Sequence, residues 1–96
     1  MDAELLTYFK EDYEDGTFLE AVIWKVPKNK ERPHGLKYRL HFGNANGVCI
    51  TRYDNEKGKG DHRHIGKKEE KYNFVSMDKL LADFRADVRR YKRRAK

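Results

Sequence analysis

Residues 36–54, LKYRLHFGNANGVCITRYD, most constrain the fold. Leu36, Tyr38, Leu40 and Phe42 alternate with Lys37, Arg39 and His41, so one face is apolar and the other basic. Successive side chains of a strand point to opposite faces, and only a half-buried strand rewards that alternation. Asn46-Gly47 then supplies a strong hairpin signal, and 48–54 reads as the return strand. An antiparallel pair follows, with its basic row turned away from the core.

The flanking segments extend this unit. Residues 4–13, ELLTYFKEDY, are rich in aromatic and β-prone types and read as a first strand, closed by a turn at Gly16. Residues 17–26 read as a second strand. Both of its faces are mostly apolar, Phe18, Val22, Trp24 and Val26 on one and Leu19, Ala21 and Ile23 on the other, which suits a central strand covered on both sides. Pro27 ends it. Residues 55–71 read as a long polar loop, and YNFVS at 72–76 as a short last strand. Ser76 is an N-cap candidate, with Asp78 in the first turn. Met77, Leu80, Leu81, Phe84, Val88 and Tyr91 recur at helical spacing. The expected fold is α+β: an antiparallel meander of four to five strands with one C-terminal amphipathic helix packed on it, in a single domain of 96 residues.

Charge narrows the function. Of 22 Lys and Arg, six fall in residues 89–96, RRYKRRAK, which hold no acid. The other 88 residues carry 16 basic and 16 acidic side chains and are neutral. The basicity is therefore local to a helical tail that includes Arg89, Arg90 and Arg93. Such a tail suits RNA or an acidic partner, and equally the solvated end of a helix whose cations complement its dipole. Cys49 is the sole cysteine, so no internal disulfide forms and a reducing compartment is expected. In its apolar run it reads as a small buried hydrophobe. No stretch approaches the roughly 18 apolar residues of a membrane span. The N-terminal residues show no signal-peptide pattern, and a cytoplasmic location is expected.

The chemistry candidates cluster in RYDNEKGKGDHRHIG, residues 52–66. It lacks the GxxxxGK[ST] of a phosphate-binding loop. Metal-free cleavage of RNA needs a base for the 2′-hydroxyl, an acid for the leaving oxygen and cations for the phosphorane. His62 and His64 supply the titratable pair, Arg63 and Lys59 the cations, and Asp61 or Asp54 a carboxylate to orient an imidazole. If 62–64 is extended, both histidines share a face and Arg63 points the other way. Lys57, Arg52, Tyr53, Lys37, Arg39 and His41 are substrate-binding candidates, with Arg89, Arg90 and Arg93 of the tail. Tyr53 could stack a base. His34 reads as a solvated loop residue. Two other readings of the loop stand beside this one: a metal site built on His-x-His with Asp61 or Asp54, and a solvated connection.

AVIWKVP, GLKYRLHF, RYDNEKGKGDHRHIG and FVSMDKLLADFRADV together, in that order, resemble the TumE-like family of small toxins. The resemblance spans about residues 13–88 and leaves out the basic tail. It implies the toxin of a type II toxin–antitoxin pair, acting on RNA and silenced by a cognate helix-turn-helix antitoxin. It supplies no catalytic residues, so the site rests on the loop chemistry. The expected activity is an endoribonuclease using acid–base catalysis without a cofactor or metal. A metal-dependent nuclease and a non-catalytic nucleic-acid- or partner-binding module are the alternatives. A homodimer is compatible with the sequence.

Overall fold

The structure, a computed structural model, describes residues 3–56 and 60–94. Six strands form one antiparallel sheet in sequential order: β1 (Glu4–Asp12), β2 (Phe18–Lys25), β3 (Leu36–Gly43), β4 (Cys49–Asp54), β5 (His62–Ile65) and β6 (Lys68–Lys71). One helix, α1 (Met77–Arg94), follows. The α+β meander with a C-terminal helix is as expected, with six strands instead of four to five.

The strand alternation builds the core. Leu19, Ala21 and Ile23 of β2, Tyr38, Leu40 and Phe42 of β3 and Tyr53 of β4 all face α1 and are buried. They meet Leu80, Phe84 and Val88, which share one stripe of the helix. Ser76 caps α1: its Oγ accepts the Lys79 backbone N–H at 3.1 Å, and its carbonyl accepts that of Leu80 at 2.9 Å.

Two secondary-structure expectations change. Residues 72–76 are not a strand; they cross from the sheet edge to the helix, and Phe74 stacks on His34 with ring centroids 3.9 Å apart. The 55–71 segment, expected as loop, contains the β5–β6 hairpin. Ile65 pairs with Lys68 across a two-residue turn in which Gly66 takes φ 59°. Tight hairpin turns demand such a positive φ, which glycine adopts without strain. Both strands are nearly all polar, so no apolar period announces them.

The second face of β2 is also not as expected. Phe18, Val22 and Trp24 are half-buried, and no described helix or strand layer covers them. The sheet therefore has a closed face under α1 and an open face.

Candidate active site on the open sheet face

Strand register lines up the open-face side chains in two transverse rows. One runs Glu20, His41, Arg52, His64, Glu69, one residue from each of β2 to β6. The next runs Val22, Arg39, Asp54, His62, Lys71. Directly opposed residues in adjacent strands have Cβ atoms about 5 Å apart, close enough for their charges to interact.

The rows converge on four residues. Asp54 Oδ1 lies 2.7 Å from His62 Nε2, and Asp54 Oδ2 lies 2.8 Å from Arg52 Nε as an ion pair. Arg52 Nη2 donates to His64 Nε2 at 2.9 Å. The His62 and His64 rings stand edge to face, 5.2 Å between centroids. His62 Nδ1 donates to the Gly60 carbonyl at 3.1 Å, so both nitrogens of that ring face acceptors. His62 and Asp54 are buried, whereas His64 is 23% exposed. His64 is the accessible imidazole.

An arginine cannot accept a hydrogen bond, so His64 Nε2 must offer its lone pair to Arg52, and the proton of the neutral ring sits on Nδ1. Burial, then the positive charge of Arg52, lowers the His64 pKa, against the opposing pull of Glu69 and Asp54. His41 is also lowered, by burial and then by Arg39 and Arg52. The result is a neutral imidazole beside the Arg52 guanidinium.

His62, His64 and Glu69 form a potential metal-ligand set: their donor atoms lie within 4.8 Å of one another. The positive charge of the Arg52 guanidinium, 2.9 Å from His64 Nε2, opposes a second cation there. The three are not assigned as metal ligands. Glu69 was missed in the sequence because its place depends on the β5–β6 register; the Ile-Gly-Lys-Lys turn was its only signal.

The remaining candidates are dispersed. Arg63, on the closed face, donates to Asp87 of α1 through Nε at 3.1 Å and Nη2 at 2.9 Å, and to Glu70 through Nη1 at 2.9 Å. The extended backbone of β5 turns it away from both histidines. Tyr53 is buried, packs edge to face on Tyr72 and Phe84, and donates to Asp87 at 2.6 Å, so no nucleobase can stack on it. Asp61 accepts from Tyr38 Oη at 2.5 Å and from His34 Nε2 at 3.0 Å, and thus orients His34 rather than His62 or His64. His34 Nδ1 accepts the Leu36 N–H at 3.1 Å, which leaves that ring no lone pair for chemistry. Lys57 and Lys59 lie outside the described residues. Lys37, Arg39 and His41 stand on the open face with the histidine pair. Arg89, Arg90 and Arg93 belong to the last turns of α1, on the other side of the sheet, and Arg90 is paired with Asp87 at 2.9 Å.

The family model for the toxin TumE matches residues 3–92. The chain belongs to the TumE toxin family. The match takes in residues 89–92 of the basic tail as well as the histidine hairpin. Membership implies a toxin of a toxin–antitoxin pair, with an antitoxin as partner. No curated protein and no solved structure matches the chain. No helix among the described residues is long and apolar enough to cross a membrane.

Proposed function

We propose that this TumE-family toxin is an endoribonuclease whose site is the open-face cluster Arg52, Asp54, His62 and His64. His64, as base, takes the proton from a ribose 2′-hydroxyl. The 2′-oxygen attacks the adjacent phosphorus, and Arg52 swings from His64 to the phosphate and stabilises the phosphorane. His62, held at Nε2 by Asp54, turns its Nδ1 proton from the Gly60 carbonyl to the departing 5′-oxygen. The P–O5′ bond breaks, leaving a 2′,3′-cyclic phosphate and a 5′-hydroxyl. Lys37, Arg39 and His41 line the approach of the RNA.

The observation that carries this reading is the pairing of two imidazoles 5.2 Å apart with a guanidinium on one and a carboxylate on the other. Incubation of purified protein with total RNA in the presence of a chelator is the test. Fragments ending in a cyclic phosphate, abolished in His62→Ala/His64→Ala protein, are expected. Intact RNA under both chelated and metal-supplemented conditions would overturn the proposal and favour a binding module. Loss of cleavage only with chelator would favour a metal-dependent nuclease.

The helix arginines are on the far side of the sheet from the histidines. We therefore assign Arg89, Arg90 and Arg93 to contact with the antitoxin or with an RNA end that wraps the molecule, not to the scissile phosphate.

A further inference from the structure

The sequence holds one tryptophan, and the fold leaves it on the open face. Trp24 pairs with Lys37 across β2 and β3, in the row next to that of Arg39, Asp54 and His62. It borders an open cleft of about 480 Å³, completed by Ala3, Val26, Pro27, Asn29, Arg32 and Lys37. That volume is in the range of small-ligand sites. Arg32 is anchored through Nη2 to the Asn55 carbonyl at 3.2 Å, yet its Nε is buried and meets no acceptor among the described residues. A half-buried indole and two cations thus line one cleft with no acidic side chain.

We propose that this cleft is a base-stacking subsite for single-stranded RNA, with Trp24 under the base and Lys37 and Arg32 on the neighbouring phosphate. The inference rests on the RNA-cleaving reading of the histidine cluster and adds to it the strand state and the path of the substrate. β2 and β5 are three strand spacings apart, about 14 Å. Between Trp24 and His64 the open face presents Lys37, Arg39 and Arg52 in successive positions. A chain of phosphates that ran along β3 past Lys37 and Arg39 and then crossed to β4 at Arg52 would meet these cations in turn. Stacking needs an unpaired base, because the faces of a duplex base are already covered. The apolar side of β2 that no helix covers is then explained as the floor of this path.

Because Trp24 is the sole tryptophan, its fluorescence reports the cleft directly. The probe is a short single-stranded 2′-O-methyl oligoribonucleotide, which lacks the nucleophile and cannot be cleaved. Titration of the full chain should quench the indole emission, and Trp24→Ala should weaken binding, measured by anisotropy of a labelled probe, roughly ten-fold. Trp24→Phe, which keeps a ring and the strand packing, should recover part of the affinity. The same oligonucleotide as a duplex should not quench. Quenching by inorganic polyphosphate as strong as by the oligonucleotide would overturn the proposal by reducing the cleft to a charge site. So would unchanged emission in a protein that cleaves RNA, and that result leaves the nuclease reading intact. Quenching without any cleavage would uphold the subsite while the nuclease reading falls.

Discussion

Arg52 Nη2 lies 2.9 Å from His64 Nε2, a contact that only the neutral imidazole can accept. Two open-face neighbours from adjacent strands thereby fix the protonation state of the ring that the proposed reaction uses as its base.

The pH profile follows from that contact. Arg52, His62, Asp54 and Glu69 face His64, and the lowering effects of burial, Arg52 and His62 prevail. A base works when deprotonated, so kcat/KM should rise with pH through a midpoint below the ordinary histidine value of about 6.5. Arg52→Ala removes a cation and should move that midpoint upward. A midpoint at or above 6.5 in the wild type would remove His64 as the base.

Single substitutions in the cluster should act through the rate. His64→Ala or His62→Ala is expected to lower kcat about 10²–10⁴-fold, and Arg52→Ala about 10²–10³-fold. Losses from His62 and His64 should not add, since the two act in one step. Single-turnover cleavage of a labelled RNA measures each; a double variant whose loss equals the product of the singles would separate their roles.

Asp87 should matter to stability. It is buried on α1 and accepts from Tyr53, Arg63 and Arg90, which ties the helix to β4 and β5. Asp87→Ala leaves a buried phenol and part of a guanidinium unpaired, and should destabilise the fold by about 2–4 kcal/mol in urea. Arg63→Ala should show its effect in the same denaturation curve, as expected of a side chain on the closed face.

Acid should weaken the fold as well as the activity. His41 and His64 both have folded-state pKa values below the ordinary one. The unfolded chain therefore binds more protons at mildly acidic pH. The stability these rings confer is complete above about pH 6.5 and is lost as pH falls through their folded values. Around His41 stand Arg39, Arg52 and Glu20, with the Phe18 ring edge to face at 5.5 Å. Tm should fall on acidification from pH 7, and His41→Gln should flatten part of that fall.

Binding of RNA should depend steeply on salt, because Lys37, Arg39 and Arg52 would displace counterions from phosphates. Arg39 is exposed on the open face, so Arg39→Ala should reduce the slope of log affinity against log salt by about 0.7 for a single strand. A slope unaffected by substitution at Lys37 and Arg39 together would place the RNA elsewhere.

The alternation in LKYRLHF, the Asn-Gly turn and the apolar stripe from Met77 to Tyr91 determined the meander, the helix and the core by themselves. Each is a local period, and burial of one face is the only way such a period lowers free energy. Residues 62–64 read as loop in the sequence, and only β5 makes them the extended segment in which both histidines share a face and Arg63 takes the other. What tertiary structure decided was partnership. HRHI and KEEK carry no apolar period, so their pairing became visible only through the Gly66 turn and cross-strand register. That register set Arg52 against His64 and Asp54 against His62, and brought Glu69 beside both rings. It also sent Asp61 to His34 and Tyr38, and Arg63 and Tyr53 to Asp87. Residue types announce which chemistry a segment can perform, but a hydrogen bond needs two groups within about 3 Å, and only the packed chain fixes that distance.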